Sequence, residues 1–572
     1  MDLRFHITGI SLHTIEIFLL KRAFRITFPK FRTLEKLSST MISFSLNCFA
    51  KTTCVMKKSA LIFILCIAHA ISYAQPLTSK EIDVLAERSM KAFDVPGIAV
   101  AVIKDGKVIH SKGYGVRSLN TMQKMDENTL FGIASNSKAF TAAALGMLVD
   151  EGKIKWDDKV RDYIPEFKLY SPYVSEEFTI RDLLTHRSGL GLGAGDLMFF
   201  PDSSDFVLKD IIYNLRFLKP VSGFRTKYDY DNNLYIVAGE VIARVSGQSW
   251  DDFIDDRILK PIGMSHSAAS FDRLKDKSDV IDGHAPVDGK VQVIARSTSK
   301  VDHAAGGIYS SIADLSKWVV LQLAKGKYGD GSGTQLFSQE VHEEMWTPQT
   351  IIPVHGPSPY NTHFAGYGLG FFISDAKGYK QISHTGGLEG MVTQITMIPE
   401  LQLGIIVLTN QQEGGAFSSI TNQIKDAYFG IKGTDRVAEY SARRKQSVDA
   451  EKKLMDSIWD EINEAGKKVT NKDYSLYVGT FNDKWFGDVF ISIKNGKLWF
   501  DSKRSPKLTG EMFAYKGNTF VVKWRDRSMD ADAFVSFSLD ENGKASSILM
   551  KPISPLTDFS YDFQDLDLHR VK

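Results

Sequence analysis

A serine and a lysine three positions apart, Ser135 and Lys138, open a long apolar segment that ends near Asp150. On a helix, residues with this spacing share one face, so the serine hydroxyl and the lysine amine can touch. A serine becomes an effective nucleophile when a base takes its proton, and a lysine held neutral can be that base. The first turn of a helix also offers free backbone N–H groups to a developing oxyanion. The pair is short enough to occur by chance, so its interpretation depends on partners elsewhere in the chain.

Two further polar motifs follow the Ser–Lys pair. Tyr230 and Asn232 lie in a polar cluster just before an apolar helix predicted over Leu234–Val245. The motif His384-Thr385-Gly386-Gly387 lies on a predicted β-strand. The serine, the tyrosine and the histidine are separated by 95 and 154 residues. A further histidine, His186, ends a short helix predicted after Thr179, and we interpret it as a structural residue.

Motifs of zinc proteases, α/β-hydrolases and phosphate-binding proteins are incomplete or absent in the sequence. His342-Glu343-Glu344 begins like a zinc-protease helix, but Trp346 stands where the second histidine would be. The chain has no G-x-S-x-G nucleophile elbow and no Gly-rich phosphate loop that ends in Gly-Lys-Ser/Thr. The sequence therefore predicts no metal site and no cofactor.

Composition and charge narrow the class of protein further. The 572 residues are 43% hydrophobic and 24% charged, which is ordinary for a globular protein. The first 74 residues hold ten of the 70 Lys and Arg but three of the 68 Asp and Glu, so the remainder carries a net charge of −5. A mildly acidic protein without a long basic run is a poor candidate for nucleic-acid binding. All three cysteines lie at positions 48, 54 and 66, so no disulfide framework or thiolate nucleophile is expected in the remainder.

The elements that must position these motifs resemble an antiparallel sheet covered by helices. A helix is predicted from Leu77 to Phe93, with Thr78 or Ser79 as its N-cap, followed by a strand run at Gly97–Ile103 and a hairpin turn at Asp105-Gly106. Predicted strands recur late in the chain, and helices flank them. The late strands are expected at 367–373, 381–387, 391–398 and 403–408, and the flanking helices at 250–259, 312–323 and 420–429, with a loop region at 155–165 and a polar loop at 325–365.

The sequence divides into five segments. Residues 1–55 are interpreted as an over-extended N-terminus, because Met56-Lys57-Lys58, an apolar run and small residues at Ser72 and Ala74 form a secretory signal at 56–74. The alternative is a genuine basic extension. The signal predicts a secreted or periplasmic protein with no stable membrane span after cleavage. The further segments are a main domain at 76–430, a charged helical linker at 431–470 and a small all-β barrel at 471–572, with turns at Asn495-Gly496, Gly517-Asn518 and Asn542-Gly543.

The three motifs, in this order, resemble the penicillin-recognising serine hydrolases, and more narrowly the family of class C β-lactamases, D,D-peptidases and esterases. The resemblance covers about residues 80–430, and the tail resembles the lipocalin-like β domain often appended to such hydrolases. The family fold is α+β: an antiparallel sheet flanked by helices, with an all-helical subdomain. The resemblance therefore implies a β-lactamase-like hydrolase domain at 76–430.

The resemblance also implies a role for each motif residue. Ser135 would be the nucleophile, Lys138 its base, and Tyr230 the residue that carries the proton to the leaving group. Backbone N–H groups of Ser135 and Gly387 would form the oxyanion hole. The residues implied in substrate binding are Asn232, His384, Thr385 and Gly386. Asn232 would hydrogen-bond the substrate amide or Lys138, and the glycines at 386 and 387 would let the substrate backbone approach the strand.

Two residues depart from the family pattern. Penicillin-active members usually carry Lys where this chain has His384, which is charged only partly near neutral pH. Weak or no β-lactamase activity is therefore expected. Asp231 is also unusual, and we expect this carboxylate to raise the pKa of the neighbouring tyrosine.

Three functional hypotheses follow. The first is a secreted serine hydrolase for D-amino-acid peptides, peptidoglycan fragments or small esters. The second is a penicillin-binding sensor that is acylated without efficient turnover. The third is a silent scaffold whose β domain binds a ligand; the intact motifs argue against it. The sequence leaves the oligomeric state open.

Overall fold

The computed structural model describes residues 76–329, 333–356, 359–468 and 473–571. The predicted over-extended N-terminus (1–55) and signal peptide (56–74) lie outside the described residues. Among the helices of the described ranges, none is both long and apolar enough to cross a membrane.

An antiparallel sheet of eight strands forms the centre of the first domain. Strands of the first domain are β1 (Gly97–Lys104), β2 (Lys107–Gly115), β3 (Phe131–Gly132), β4 (His284–Val287), β5 (Lys290–Val293), β6 (Tyr309–Ser310), β7 (Thr350–Ile352), β8 (Ala365–Tyr367), β9 (Phe372–Ala376), β10 (Tyr379–Leu388), β11 (Met391–Ile398) and β12 (Leu403–Thr409). The order across the large sheet is β2-β1-β12-β11-β10-β9-β8-β7. Two small pairs, β3 with β6 and β4 with β5, lie outside it. The first and last strands of the domain, β1 and β12, are therefore neighbours in the sheet, so the two ends of the domain lie side by side.

Strand β1 is apolar along its length because both faces of the sheet are covered. All of its residues except Lys104 are buried, as are all residues of β12. Alternate side chains on a strand point to opposite faces. Those of β1 accordingly enter two separate cores: Ala99, Ala101 and Ile103 on one side, and Ile98, Val100 and Val102 on the other.

Helices lie on both faces of the sheet and in a large insertion between β3 and β4. The helices are α1 (Ser79–Phe93), α2 (Ser137–Asp150), α3 (Val160–Tyr163), α4 (Pro172–Glu177), α5 (Ile180–Leu184), α6 (Leu208–Asn214), α7 (Asn233–Ser246), α8 (Trp250–Ile254), α9 (His303–Gly306), α10 (Ile312–Leu323), α11 (Gln339–Met345), α12 (Gly414–Tyr428) and α13 (Arg436–Lys468). The predicted α+β fold is confirmed.

Local signals explain where helices begin. Thr78 caps α1: its hydroxyl accepts the N–H of Glu81, whose carboxylate accepts the N–H of Thr78 in return. The helix ends at Phe93 because Asp94 takes a left-handed conformation with φ 54°. The predicted helix thus ends before Pro96.

Several predicted boundaries were wrong. The expected polar loop at 325–365 contains α11 and β7, and the loop region at 155–165 contains α3. These elements are three to seven residues long, which is too short for a clear apolar periodicity. The helix expected over 250–259 is α-helical only to Ile254 and continues as a π-helix over Asp255–Leu259. Helix α12 begins six residues earlier than predicted, at Gly414, because the side chain of Glu413 accepts the N–H of Gly415.

The second domain is a closed eight-stranded antiparallel barrel, as predicted. Strands of the barrel are β13 (Gly479–Asp483), β14 (Gly487–Lys494), β15 (Lys497–Ser502), β16 (Thr509–Ala514), β17 (Thr519–Trp524), β18 (Ala533–Leu539), β19 (Ala545–Pro552) and β20 (Leu568–Arg570). The Asn-Gly and Gly-Asn turns fall between β14 and β15, β16 and β17, and β18 and β19. Large side chains fill its interior, among them Phe481, Phe500, Phe520, Trp524 and Phe537.

The barrel and the first domain belong to one compact unit. Arg504 of the barrel forms ion pairs of 2.6 Å with both Asp205 and Asp210, and its guanidinium lies 3.7 Å from the centre of the Phe206 ring. Asn214, the last residue of α6, donates to the Trp485 carbonyl at 2.8 Å. The barrel therefore docks on the helical insertion that also carries part of the candidate site.

Candidate active site

The Ser–Lys pair lies where the chain leaves β3 and enters α2. Ser135 occupies the middle of a single 3-10 turn, Ala134–Asn136, and Ala134 has a φ of 50°. A left-handed conformation is costly for alanine, so the surrounding contacts must hold this turn in place. Asn136 ties the turn to the sheet: its amide donates to the Thr393 hydroxyl on β11 at 2.9 Å.

Lys138 is fully buried, and its amine has three polar partners. Its Nζ lies 3.1 Å from Ser135 Oγ, 2.7 Å from Asn232 Oδ1 and 2.9 Å from the Ala305 carbonyl oxygen. All three are neutral groups. Burial lowers the pKa of Lys138 to about 7, against the opposing effect of the carboxyl groups of Asp196, Asp302 and Asp231. A substantial fraction of this amine is therefore neutral near pH 7 and able to accept a proton.

Tyr230 lies beside the nucleophile and the lysine. Its ring centre lies 4.9 Å from Lys138 Nζ, and it lines the same cavity as Ser135. Burial raises the pKa of Tyr230 well above its ordinary value. The resting residue is thus a neutral phenol, which can relay a proton but is not a standing base.

Asp231 is bonded to the start of α7 and is not among the groups that raise the pKa of the tyrosine, contrary to the expectation from the sequence. Its carboxyl accepts the N–H of Leu234 in the first turn of α7 at 3.3 Å, and burial raises its own pKa to about 7. The main cause of the raised pKa of Tyr230 is burial, with smaller contributions from Tyr228, Tyr235 and Asp196. The expected direction of the tyrosine shift was right, and its expected cause was wrong.

His384 is a buried, neutral residue. Its Nδ1 lies 2.6 Å from the Thr385 carbonyl, so Nδ1 carries the proton and Nε2 accepts the Tyr367 hydroxyl at 2.9 Å. Burial, with the nearby Lys138 amine, lowers the pKa of His384 to about 3. It therefore supplies no positive charge near neutral pH.

The two glycines after Thr385 have different surroundings. A Cβ on Gly386 would lie 2.3 Å from the Ile133 carbonyl oxygen and 2.9 Å from Ala134 Cβ, whereas a Cβ on Gly387 would meet nothing within 4 Å. Gly386 thus lets β10 approach the nucleophile turn. Both glycines were expected to leave room for a substrate. Of the two, Gly387 has open space beside it, and the neighbouring Thr385 is exposed.

Sequence reasoning missed several residues of the site. His186 lies beneath Tyr230, with ring centres 4.2 Å apart, and its Nδ1 accepts the Asp231 N–H at 3.1 Å. Asp196 is buried and accepts the Asn232 amide at 2.8 Å. Asn232 therefore links Lys138 to the carboxyl group of Asp196, which belongs to none of the sequence motifs. His186 was noticed in the sequence, but nothing there placed it under the tyrosine.

These residues surround a cavity of about 380 Å³. Its described lining includes the carboxyl groups of Asp302, Glu389 and Asp558 and contains no Lys or Arg. Apolar and aromatic side chains form much of the remainder. The sequence-predicted residues in the lining are Ser135, Tyr230, Asn232, His384, Thr385 and Gly387, and the apolar ones include Leu192, Phe199, Phe200, Phe372, Leu388 and Phe559.

Comparison with known proteins agrees with this geometry. The Beta-lactamase family profile matches residues 82–428, more than half of the chain. The chain belongs to the beta-lactamase family. The resemblance inferred from the three motifs is thereby confirmed. In this beta-lactamase-family protein, a second profile, described as a domain of unknown function (DUF3471), matches residues 464–570.

Curated relatives match part of the beta-lactamase-family chain. The unguisins hydrolase ungD of Aspergillus violaceofuscus (strain CBS 115571) is 30% identical over 372 residues, covering 61% of this chain and 64% of that protein. Protein flp of Staphylococcus aureus (strain MW2) is 27% identical over 346 residues, covering 58% and 63%. The chain thus spans less than two thirds of the length of these relatives.

A solved structure shares the fold. The octameric penicillin-binding protein homologue from Pyrococcus abyssi has a TM-score of 0.56 at 23% identity, with 83% of this chain and 98% of that chain covered. At this identity the similarity concerns the fold alone.

Proposed function

We propose that the protein is a secreted serine hydrolase that cleaves amide or ester bonds through an acyl-enzyme on Ser135. Candidate substrates are D-amino-acid peptides, peptidoglycan fragments and small esters. The observation that carries the proposal is the contact of Ser135 Oγ with the buried amine of Lys138, 3.1 Å away, in a cavity that Tyr230 also lines. A structural serine has no need of a buried lysine with a pKa of about 7.

Acylation uses both neighbours of the nucleophile. Neutral Lys138 accepts the Ser135 proton as Oγ forms a bond to the substrate carbonyl carbon. The bond to the leaving amine or alcohol then breaks. The proton is returned through Lys138 and the Tyr230 hydroxyl to the leaving group, so no charge is left on it.

Backbone N–H groups would stabilise the negative charge on the carbonyl oxygen. Ser135 and Gly387 both line the cavity, and they are the residues to which the family pattern assigns the oxyanion hole. Deacylation repeats the path with water as the nucleophile. Neutral Lys138 accepts the proton of the water, with the Tyr230 hydroxyl as relay, as the water oxygen bonds to the acyl carbon. The ester bond to Ser135 then breaks, and Lys138 returns the proton to Ser135 Oγ.

The electrostatics of the cavity support weak or no β-lactamase activity. A β-lactam antibiotic carries a carboxylate, which needs a positive partner once it leaves water. His384 is neutral, and the described lining of the cavity has carboxyl groups but no Lys or Arg. Substrates without a carboxylate near the scissile bond are therefore favoured.

The mass of the protein after exposure to an activated ester and to penicillin tests the proposal. An increase in mass on Ser135 that decays as product is released supports a hydrolase. An adduct that persists would instead support a penicillin-binding sensor. Ser135→Ala should lose both adduct and turnover, whereas Ser457→Ala, on the exposed surface of α13, should keep both. Turnover retained by Ser135→Ala would refute the assignment, and nitrocefin turnover at the rate of a dedicated β-lactamase would refute the substrate preference.

Secretion rests on residues 56–74 and has a separate test. N-terminal sequencing of the product exported by the native host should give a mature terminus just after Ala74. A mature terminus upstream of Met56 would contradict both the signal and the over-extended start.

A further inference from the structure

One wall of the catalytic cavity comes from the C-terminal barrel. The segment Asp558–Asp562 connects β19 to a 3-10 turn at Phe563–Asp565 that precedes β20. Three of its residues, Asp558, Phe559 and Ser560, line the same cavity as Ser135 and Gly387. The cavity is therefore bounded by two domains that are distant in sequence.

A chain of hydrogen bonds leads from this segment to the catalytic lysine. The Ser560 hydroxyl donates to Asp196 Oδ2 at 2.8 Å, and the same oxygen accepts the Asn232 amide at 2.8 Å. The other end of that amide, Asn232 Oδ1, accepts Lys138 Nζ at 2.7 Å. Ser560 is thus two residues away from the base, and it acts on a carboxyl group that raises the pKa of that base.

Asp562 fixes the loop that carries Asp196. Its two carboxyl oxygens accept the N–H groups of Gly195 at 2.6 Å and Leu197 at 3.1 Å, the residues on either side of Asp196. Asp562 is fully buried. Because both bonds are to backbone amides, the position of the Asp196 loop depends on the barrel.

Phe559 is a large apolar side chain that remains 40% exposed at the cavity. Its ring meets that of Tyr230 edge-on, with centres 5.8 Å apart. The segment lies so close to Gly193 that a Cβ there would come within 2.8 Å of the Phe559 carbonyl oxygen. Leu192, also in the lining, is 47% exposed. An apolar substrate group in this cavity would remove both side chains from water.

We propose that the barrel completes the active site: Phe559 is a specificity-determining residue that binds apolar acyl groups, and Ser560 is a positioning residue for Lys138. The inference rests on the proposed hydrolase function. It names the substrate class as acyl compounds whose acyl part is an uncharged aliphatic or aromatic group.

Esters with one leaving group and different acyl groups test the role of Phe559. In the full-length protein, kcat/KM is measured for p-nitrophenyl phenylacetate and p-nitrophenyl acetate. Phe559→Ala should lower the ratio of the phenylacetate value to the acetate value about tenfold. The matched control is Phe490→Ala, since Phe490 is 39% exposed on the same barrel but outside the cavity lining, and it should leave the ratio unchanged.

Each other outcome overturns this role. A ratio that stays within twofold of the wild-type ratio means that Phe559 does not contact the acyl group. A ratio that rises means that Phe559 excludes bulk. Loss of turnover in Ser135→Ala is measured beside these variants, so failure of the hydrolase assignment is distinguished from failure of the selectivity claim.

The pH dependence of kcat tests the role of Ser560. Burial raises the pKa of Asp196 well above its ordinary value, and the hydrogen bonds from Asn232 and Ser560 oppose that rise. In its charged form Asp196 raises the pKa of Lys138. Ser560→Ala should therefore shift the acidic limb of the profile to lower pH and reduce kcat roughly fivefold, with KM for the acetate little changed. The titratable groups that face Lys138 are Asp196, Asp231, Asp302, Tyr230, Tyr235, His186 and His384.

Two variants keep the Ser560 test decisive. Ser560→Thr restores the hydroxyl and should restore the position of the limb. Ser546→Ala removes a hydroxyl that donates to the Ser538 carbonyl within the barrel and should leave the limb in place. An unshifted limb in Ser560→Ala, or a loss of kcat that Ser560→Thr does not restore, contradicts the positioning role.

Discussion

Lys138 shows how burial prepares a residue for chemistry. An exposed lysine is almost fully charged at neutral pH, but this amine is surrounded by protein and bonded to three neutral oxygens. Its pKa of about 7 is set by burial against the opposing effect of nearby carboxyl groups. A change to one of those carboxyl groups should therefore be visible in the pH dependence of the reaction.

We expect kcat/KM to rise with pH through about pH 7, because neutral Lys138 is the active form. Asp196→Asn removes a carboxyl group that raises the pKa of Lys138, so the rise should move to lower pH. Ester hydrolysis between pH 5 and 9 measures both profiles. Asp449→Asn, on the exposed face of α13, serves as the control and should show the wild-type profile. A shift of the Asp196→Asn profile to higher pH would contradict this account.

Asp231 should make the stability of the fold depend on pH. Burial raises its pKa from an ordinary value of 3.8 to about 7, so between these values the folded state holds a proton that the unfolded state releases. The contribution of Asp231 to the stability of the fold is therefore fully present below about pH 4 and is lost as the pH rises to 7. Asp231→Asn cannot ionise and still accepts the Leu234 N–H.

The free energy of unfolding of Asp231→Asn, relative to wild type, should therefore increase by about 3 kcal/mol from pH 5 to pH 8. Urea unfolding at each pH measures the difference. The exposed variant Asp449→Asn should give a difference that does not change with pH. A difference that stays constant with pH for Asp231→Asn would show that the buried carboxyl is charged throughout this range.

At this scale, the residues predictable from sequence are those that lie in short motifs. Ser135 and Lys138 are neighbours on one turn, and the Tyr230 and His384 motifs carry family patterns. Asp196 and Ser560 are 364 positions apart and belong to no motif. Their contact is made by tertiary packing, and a single sequence offers no periodicity or spacing that would reveal it.

Among the elements, the contact between β10 and the nucleophile turn is the closest at the site. The strand carries His384, Thr385 and Gly387, and it approaches the turn at Gly386, where a side chain would strike the Ile133 carbonyl oxygen. The separation of Ser135 from the proposed oxyanion donor at Gly387 therefore depends on the absence of one methyl group.

Gly386→Ala should push the strand and the turn apart. We expect a loss of about 1–3 kcal/mol in the free energy of unfolding, since the added carbon meets backbone atoms that cannot rotate away. Gly387→Ala is the matched control for stability, because its Cβ would lie in open space. Thermal and urea unfolding compare the two. Equal stability of both variants would show that the approach at Gly386 is not tight.

The central strands were easier to predict than the small elements around them. The apolar runs of β1 and β12 are long because they are covered on both faces. Helix α11 has seven residues, most of them polar, and is fixed by the Ser338 cap, whose hydroxyl accepts the Val341 N–H. A serine cap identifies a helix only where the following residues already show helical periodicity. A helix of seven residues is too short to show it.

For the molecule as a whole, the two domains share one buried core. The largest apolar cluster contains residues of the helical insertion, such as Phe206 and Ile211, together with barrel residues such as Trp485 and Phe486. The sequence predicted a separate barrel but contained no sign of this shared core, because the complementary surfaces are assembled from distant segments.

We expect the first domain and the barrel to unfold in one transition. Arg504→Ala removes two ion pairs and a ring contact at their boundary, so it should lower a single melting temperature by a few degrees. Calorimetry and loss of Ser135 acylation should give coincident midpoints. Lys494→Ala, which removes a pair with Asp501 inside the barrel, is the control and should have a smaller effect. Two resolved transitions would contradict a shared core.

The position of the Asp558–Asp562 segment also has a consequence for biosynthesis. The ribosome makes the nucleophile turn some four hundred residues before it makes Ser560 and Asp562, and domains fold in the order in which they emerge. During that interval the Asp196 loop lacks the partners that fix it, and the cavity lacks one wall. A nascent or prematurely terminated chain would thus carry the nucleophile in a site that lacks this wall. Hydrolytic activity would appear only after the last strand of the barrel has been made.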